Sequence, residues 1–296
     1  MNKKTRIMVL LLCSALALTL LSGCNSKPSG NTSGSGDAQQ SGGQQSAGES
    51  ASPPKVLRVG MECDFPPHNW TQLQSSEYAV AMPDGTYADG YDVQIAKIVA
   101  DKLGWELQVS KIDWDGLSPS LTSNKIDLII AGMTDTEERR MAIDFTDVYW
   151  SSDLVIVVMK DGPYANAKSL KDFTGAKITA QMDTLHYDLI DMIPDVQKQQ
   201  AMSDFPTMLM SLSSGKIDGY VAERPAAISA EVANSKVTFI AFEGDNGFGE
   251  EMPVSIGLRQ NEDELKQQIN GVLAGISQQQ RQKLMEEAVS RQPLQG

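Results

Sequence analysis

Cysteine is scarce in this sequence of 296 residues. Cys13 lies in an apolar N-terminal run, Cys24 follows that run, and only Cys63 belongs to the rest of the chain. One cysteine cannot form an internal disulfide, so the fold must depend on a buried core. We interpret Cys63 as a small buried residue at the end of a strand rather than as a reactive thiol.

Basic residues are also scarce relative to acidic ones. Lys and Arg number 25 against 38 Asp and Glu, and the formal charge is -13. A chain that neutralises nucleic-acid phosphates needs the opposite sign, so we expect no nucleic-acid partner. With 41% hydrophobic and 21% charged residues, the composition is typical of a soluble globular protein of one large or two ordinary domains.

Sequence motifs for catalysis are missing as well. The chain has only two histidines, His68 and His186, and it contains no G-x-S-x-G, no H-E-x-x-H and no phosphate loop. Cys63 with His68 could form a nucleophile and a base. The same two residues with Glu62 and Asp64 could instead form a metal cluster. An extended segment this short scatters such side chains, so we expect no enzyme, no metal and no cofactor.

The N-terminus has the pattern of an export signal. Three basic residues between positions 3 and 6 precede an apolar run, residues 7–21, that is too short to span a bilayer comfortably. The run closes with Leu21-Ser22-Gly23-Cys24, which resembles a bacterial lipobox. This resemblance implies a lipoprotein signal peptide over 1–23 and lipid attached to Cys24. An ordinary signal peptide with a coincidental cysteine is the alternative.

Residues 25–54 contain no Val, Ile, Leu, Met or aromatic residue and are rich in Ser, Gly and Gln. Such a segment cannot bury enough surface to offset the entropy of ordering, so we expect a flexible linker from Cys24 to residue 54. A coil of this length reaches roughly 30 Å. We therefore predict an exported protein, lipid-anchored to the outer face of the cytoplasmic membrane or on its periplasmic side.

Strand and helix patterns alternate after residue 55. The pattern predicts strands over 56–60, 105–109 and 127–131, and helices over 92–103 and 117–123. Asp92 is the expected N-cap of the first helix and Gly104 its expected C-cap. Alternation of this kind favours an α/β fold with a parallel sheet.

Two segments of the chain repeat each other. Residues 120–127 match 211–218 at six of eight positions, and each copy passes from a helix through Asn or Gly into Lys-Ile-Asp. Helix-to-strand joints can look alike without duplication, but the repeat favours two similar α/β lobes. Parallel sheets bind ligands at the carboxyl ends of their strands. Arg139 would then face Glu223 across a shared cleft, an arrangement suited to a zwitterion.

Several short motifs occur in a characteristic order. They are Leu57-Arg58-Val59-Gly60, Phe65-Pro66-Pro67, Gly90-Tyr91-Asp92-Val93, Asp113-Trp114-Asp115-Gly116-Leu117, Ala131-Gly132-Met133-Thr134, Thr136-Glu137-Glu138-Arg139 and Ile143-Asp144-Phe145-Thr146-Asp147. Over nearly all of residues 55–292 the sequence resembles bacterial extracellular solute-binding protein family 3, the polar amino-acid receptors of ABC importers. The resemblance implies no enzymatic activity and a membrane permease as partner, and we expect a monomer.

The resemblance also implies a two-lobed type II periplasmic-binding-protein fold, each lobe a mostly parallel sheet flanked by helices. Two hinge strands would cross near residues 152–155 and 252–255. Lobe 1 would then hold 55–153 with 254–296, and lobe 2 would hold 154–253.

By the same resemblance, Arg139 would bind the ligand α-carboxylate through its planar guanidinium. Gly132 would add a backbone group and Thr134 a hydroxyl, while Thr184 would help to present backbone N–H groups at a helix start. Glu223 would bind the α-ammonium.

The other end of the expected site concerns the ligand side chain. Phe65 and Trp114 fall where the family holds that side chain between aromatic rings, although both rings could equally pack in the core. Glu62 and Gln181 fall where specificity is set. Because a buried carboxylate needs a partner, Glu62 favours arginine, lysine or ornithine. Glutamine or cystine would fit if Glu62 accepts hydrogen bonds from an amide or ammonium, or turns away.

Two other functions stay open at this point. The sequence also resembles cyclohexadienyl dehydratases, enzymes of the same fold, in which Glu223 or Glu62 would act as an acid on arogenate or prephenate. A signalling or adhesion lipoprotein is the other alternative, but no exposed apolar stripe supports it.

Overall fold

The computed structural model describes residues 55–249 and 251–293. The predicted signal peptide, the lipidation site at Cys24 and the linker up to residue 54 lie outside these residues. In the described part of the chain, no helix is both long enough and apolar enough to cross a membrane.

Fourteen strands and eight α-helices are described. The strands are β1 (Val56–Met61), β2 (Asp64–Phe65), β3 (Asn69–Gln72), β4 (Val80–Ala81), β5 (Tyr87–Asp89), β6 (Glu106–Lys111), β7 (Leu128–Ile129), β8 (Asp144–Ser152), β9 (Leu154–Met159), β10 (Lys177–Thr179), β11 (Gln197–Lys198), β12 (Gly219–Glu223), β13 (Val237–Ile240) and β14 (Met252–Leu258). The helices are α1 (Tyr91–Leu103), α2 (Trp114–Thr122), α3 (Glu137–Arg140), α4 (Leu185–Leu189), α5 (Phe205–Ser213), α6 (Arg224–Ala233), α7 (Asp263–Ala274) and α8 (Gln278–Arg291).

Two five-stranded sheets share one pattern of strand directions. The first has the order β6-β1-β7-β14-β8 and the second the order β11-β10-β12-β9-β13. In each, the first three strands are mutually parallel, and the fourth is antiparallel to both of its neighbours. The expected parallel β-α-β-α-β succession is thus present in the first sheet, although an antiparallel strand interrupts each sheet.

The segment between β1 and α1 forms a third sheet that the sequence pattern did not predict. It is antiparallel, with the order β2-β3-β5-β4. Its strands have only two to four residues, which is too short for alternation of polar and apolar residues to be recognised.

The chain passes between the two large sheets at two places. β8 ends at Ser152, and β9 begins at Leu154. On the return, Met252 at the start of β14 pairs with Ser152. Asp153 lies between β8 and β9, where its carboxylate binds the Arg224 guanidinium and its carbonyl accepts the Arg224 N–H at 3.1 Å. The exact lobe boundaries stay a prediction.

Helix α1 begins differently from the sequence prediction. Its N-cap is Gly90 at φ 134°, where a Cβ would lie 2.3 Å from the His68 carbonyl oxygen. Asp92 is therefore inside the first turn rather than at the cap. It is buried, and it accepts hydrogen bonds from Asn69 Nδ2 and the Tyr149 hydroxyl, both at 2.8 Å. The predicted C-cap, Gly104, is confirmed by its left-handed φ of 70°.

The two repeated segments adopt the same local structure. Asn124 and Gly215 both have left-handed backbones, at φ 62° and 72°, just after α2 and α5. Asp127 donates its N–H to the Arg58 carbonyl at 2.7 Å, and its carboxylate accepts the Arg58 N–H at 3.1 Å. Asp218 forms the same two bonds with Lys177, both at 2.8 Å. The repeat is therefore structural and relates one sheet to the other.

Candidate ligand-binding site

All nine residues predicted for the site line one cavity, whose free volume of about 10 Å³ is far below the roughly 300 to 1,000 Å³ of typical ligand pockets. The cavity lies between the carboxyl ends of the parallel strands of both sheets. Its lining comprises Glu62, Phe65, Trp114, Gly132, Thr134, Arg139, Gln181, Thr184 and Glu223, together with Ala131, Leu185, His186 and Phe205.

Arg139 supplies positive charge to one wall of the cavity. The Thr136 hydroxyl caps α3 by accepting the Arg139 backbone N–H at 3.2 Å. The guanidinium donates to the carbonyls of Thr134 at 2.7 Å and Asp183 at 2.8 Å, and its Cζ lies 5.1 Å from the centre of the Trp114 ring. Burial lowers the pKa of Arg139, and no carboxylate of the described residues lies within 4.0 Å of its guanidinium. The cation is thus held by neutral groups and can bind an anion.

The turn before α4 brings the second sheet to this cation. Asp183 has a left-handed backbone at φ 55°, which is uncommon for a residue with a Cβ. Its carbonyl accepts hydrogen bonds from Arg139 and, at 3.4 Å, from Trp114 Nε1. Thr184 is the N-cap of α4, and its hydroxyl donates to the Gln181 carbonyl at 2.7 Å. Thr184 therefore shapes the turn through its side chain.

Gly132 has a left-handed backbone that favours glycine. Its φ is 61°, and a Cβ would lie 2.9 Å from Cε1 of Phe65. Its N–H donates to the Tyr149 hydroxyl at 2.9 Å, and that hydroxyl in turn donates to Asp92 at 2.8 Å. The backbone N–H of Gly132 is therefore already bonded within the protein. The Thr134 hydroxyl, which also lines the cavity, is the better candidate for an additional ligand contact.

Glu223 supplies negative charge at the end of β12. It is only 3% exposed, and Oε1 lies 3.2 Å from Nε2 of His186. Oε2 has no hydrogen-bond partner in the described part of the protein. Burial alone would raise the pKa of Glu223, but the charge and hydrogen bond of His186, with the charge of His68, outweigh it and lower that pKa. Glu223 is thus a buried anion with one unused oxygen.

Glu62 and Gln181 meet directly in the cavity. Gln181 Nε2 donates to Glu62 Oε1 at 2.6 Å and to the Ser203 carbonyl at 3.0 Å. Burial raises the pKa of Glu62 well above its usual range, and the negative charge of Asp64 adds to this effect. The Glu62 carboxyl therefore keeps its proton to higher pH than an exposed glutamate, unless a cation is placed against it.

Aromatic rings form a further wall of the cavity. Phe65 stacks on Phe205 with 4.3 Å between ring centroids and on His68 with 4.7 Å. Trp114 packs against the Arg139 guanidinium. Phe65 and Trp114 thus reach the same cavity, as expected from the resemblance. In this conformation, however, Phe65 stacks on rings of the protein itself.

Phe205 and His186 line the cavity, but the sequence analysis did not select them. The repeat contained a signal for Phe205, because the spacing that relates residue 120 to 211 also relates Trp114 to Phe205. These two rings are the first residues of the equivalent helices α2 and α5. For His186, the only signal was the rarity of histidine in the chain.

The nucleophile–base pair and the metal cluster considered for residues 62–68 do not have the geometry that either function needs. Burial raises the pKa of the Cys63 thiol to about 12. Neither ring nitrogen of His68 has a hydrogen-bond partner within the described ranges, so Cys63 and His68 form no nucleophile–base pair. No group of three or more His, Cys, Asp or Glu among residues 55–249 and 251–293 is arranged to hold a metal ion.

Known proteins resemble this chain in sequence and in structure. The model of bacterial extracellular solute-binding proteins, family 3, matches residues 57–289. A probable histidine-binding protein of Campylobacter jejuni is 28% identical over 206 residues, which cover 70% of this chain and 75% of that protein.

Two solved structures of an ancestral arginine-binding protein match with a TM-score of 0.63. The glutamine-bound one is 31% identical and covers 78% of this chain and 96% of its own. The arginine-bound one is 30% identical and covers 78% and 97%. The expected type II periplasmic-binding-protein fold is therefore confirmed, and the chain belongs to the bacterial extracellular solute-binding proteins, family 3.

Proposed function

We propose that this chain is the substrate-binding component of an ABC importer and captures a polar amino acid by closure of two lobes. The observation that carries the proposal is the cavity itself. Among the described residues, Arg139 reaches it without a carboxylate partner, and Glu223 reaches it with one oxygen that has no hydrogen-bond partner. A zwitterion satisfies both groups at once, its carboxylate on Arg139 and its ammonium on Glu223.

The ligand that we propose is cationic: arginine, lysine or ornithine. Glu62 and Gln181 offer a carboxyl and an amide at the same point of the cavity. A guanidinium or ammonium placed there would ionise Glu62 and bind the resulting carboxylate. Trp114 supplies aromatic surface for the aliphatic stem, and Phe65 would do so only once its ring separates from Phe205.

Relatives support this class and also a neutral alternative. The names of the similar proteins include histidine-binding and arginine-binding. One arginine-binding protein is described bound to glutamine. A neutral amide would suit Glu62 in its protonated form, so glutamine is the second candidate, followed by cystine.

A thermal-shift screen tests the proposal. The twenty amino acids, ornithine, citrulline and cystine are each added to the purified mature protein. A ligand at 100 times its Kd stabilises by about 2.7 kcal/mol, which corresponds to a rise in Tm of about 5 to 10 °C for a protein of this size. We expect the largest rise with a basic amino acid. No rise with any amino acid would contradict the proposed function.

A dehydratase would use the same cavity differently. Glu62 is the group suited to act as an acid, because its pKa is raised, whereas Glu223 has a lowered pKa. We propose binding without turnover. Incubation with prephenate or arogenate, followed by chromatography, should yield no product, and product formation would establish the enzyme instead.

The proposal includes anchoring and partners. We propose a signal peptide over 1–23, lipid on Cys24, a linker to residue 54, lobe 1 over 55–153 with 254–296, and lobe 2 over 154–253, with a monomer delivering its ligand to a permease. Cys24→Ala should move the protein from the membrane fraction to the soluble fraction without changing ligand affinity. Membrane retention of this variant in detergent-free fractionation would contradict lipid anchoring.

A further inference from the structure

His186 lies against the carboxylate that forms the negative side of the cavity. Its Nε2 is 3.2 Å from Oε1 of Glu223, and both residues are more than nine-tenths buried. Nδ1 of His186 and Oε2 of Glu223 both lack a hydrogen-bond partner in the described structure. The pair therefore leaves one carboxylate oxygen and one imidazole nitrogen unused.

Two opposing effects act on the protonation of His186. A neutral ring protonated at Nε2 donates to Glu223 and leaves only a lone pair at Nδ1. A second proton at Nδ1 would gain from the Glu223 charge but would bury an N–H group without an acceptor. Because these effects oppose each other, a third charge placed at Oε2 of Glu223 can determine which form is present.

We propose that His186 is a positioning residue for Glu223 whose protonation is linked to ligand binding. The inference rests on the proposed function and deepens it. A ligand ammonium at Oε2 would share the carboxylate with an imidazolium, and these like charges repel at close range. Binding therefore displaces the proton from Nδ1 of His186 to solvent. By linkage, affinity increases as pH rises.

Other charged groups lie in the same cavity or near the pair in sequence. Glu62 after β1 and Arg139 on α3 line the same cavity, His68 before β3 contacts Asp92 of α1, and Asp183 and Asp188 flank His186 in sequence. His68 adds positive potential at Glu223 and lies 3.7 Å from Asp92. Glu62 is the group that must be controlled, because it also titrates and lines the same cavity.

The experiment measures Kd by titration calorimetry between pH 5 and 8 in a Glu62→Gln background. The probes are glutamine and citrulline, whose side chains are neutral, and arginine where these do not bind. The association constant should rise by up to tenfold per pH unit at the acid end. Measurements in two buffers of different ionisation enthalpy should show release of up to one proton.

Two further variants separate the histidines. His186→Gln keeps an N–H donor for Glu223 but cannot titrate, so the pH slope and the proton release should disappear. His68→Gln is the matched control and should keep most of the slope. An unchanged slope in His186→Gln would overturn this inference and leave the proposed function intact. Failure of every amino acid to bind at any pH would overturn both.

Discussion

The two five-stranded sheets are alike where they build the fold and different where they reach the cavity. Asp127 and Asp218 occupy equivalent positions and form the same pair of bonds with the neighbouring strand. The strand residues that bind these aspartates are Arg58 and Lys177. Four residues further along the chain lie Glu62 in the first sheet and Gln181 in the second. The joint between helix and strand is therefore kept, while the residues beyond the strand ends have diverged.

This divergence gives the two walls of the cavity different charged residues. Where the first sheet has Gly132, the equivalent position of the second has Glu223. Arg139 belongs to the first sheet's side, and His186 belongs to the second. A ligand with one negative and one positive end has a single favourable orientation between such walls, and closure brings both ends into contact.

The largest effect should come from breaking the charge pair across the cavity. Arg139→Ala and Glu223→Ala each leave one end of a bound zwitterion buried without a partner, which typically costs 2 to 5 kcal/mol of binding free energy, about 30-fold or more in Kd. The measurement is titration calorimetry with the ligand found by thermal shift.

Arg140→Ala is the matched control for this first experiment. Arg140 is next in sequence, but its side chain is exposed and bound to Asp135, so its Kd should stay within a few-fold of wild type. A similarly small change in Arg139→Ala or Glu223→Ala would remove that residue from the site.

The second effect concerns the equivalent pair Glu62 and Gln181. Glu62→Gln should weaken arginine relative to citrulline by about 1.5 to 3 kcal/mol, the usual contribution of a hydrogen bond to a charged group. Because the two side chains meet at one point, the double exchange Glu62→Gln with Gln181→Glu should recover part of the loss. Competition assays measure both ratios, and a wild-type preference for glutamate over arginine would contradict this assignment.

The pH dependence of the ratio of arginine to citrulline affinity provides a control. Burial raises the pKa of Glu62, so its carboxyl is protonated at low pH and offers no charge to arginine. The ratio of arginine to citrulline affinity should therefore rise with pH as Glu62 ionises, and it should be flat in Glu62→Gln. In the ligand-free protein, the contribution of Glu62 to folding stability changes with pH in the opposite direction. The stability associated with this raised pKa is present at low pH and lost as pH rises, so Glu62→Gln should be the more stable form at high pH.

These residues also show how far sequence alone could lead. Glu62, Gln181, Gly132 and Glu223 were predictable because each follows or ends a strand, and the strand fixes where that residue lies. The contacts that site residues form with distant segments were not predictable. The bond from Arg139 to the Asp183 carbonyl depends on a left-handed backbone at a residue with a Cβ.

The same limit explains the errors at helix starts and in short strands. Asp at the start of a helical pattern is usually a cap. The Asp92 carboxylate instead accepts hydrogen bonds from Asn69 and Tyr149, which lie far away in sequence. His186 follows a helix start and has no local feature that indicates a carboxylate from β12. Contacts between distant segments decide both cases.

A smaller effect should distinguish the two copies of the repeated joint. Asp127 accepts side-chain hydrogen bonds from Arg58, at 2.7 and 2.9 Å, and from Arg259 at 3.1 Å, in addition to the backbone bond. Asp218 accepts the Lys177 N–H. We expect Asp127→Ala to lower the free energy of unfolding by about 2 to 3 kcal/mol and Asp218→Ala by about 1 kcal/mol. Urea denaturation measures both.

The pH dependence of this difference has a definite sign. Burial alone would raise the pKa of Asp127, but hydrogen bonds from Arg58 and Arg259 lower it. The stabilisation by this carboxylate is therefore present at neutral pH and lost as the pH falls through the lowered pKa. The cost of Asp127→Ala should shrink in acid. Equal costs for the two aspartates at neutral pH would contradict the argument.

The smallest effect should come from a contact between the C-terminal segment and the second sheet's side. Gln292 Nε2 donates to the Ser229 carbonyl on α6 at 3.2 Å, and the Ser229 hydroxyl donates to Gln292 Oε1. The preceding Arg291 is held on the other side, 3.2 Å from Asp89 and 3.9 Å from the centre of the Tyr78 ring. The segment therefore links the two halves of the protein outside the cavity.

If the lobes open without ligand, this contact stabilises the closed form alone. Gln292→Ala removes two neutral hydrogen bonds, together worth about 1 to 3 kcal/mol, so affinity should fall by about fivefold or more. Solution scattering of the ligand-free variant should show a slightly larger radius of gyration. Lys283→Ala, an exposed position on the preceding helix α8, is the control and should leave both quantities unchanged. Identical behaviour of the two variants would show that closure does not depend on Gln292.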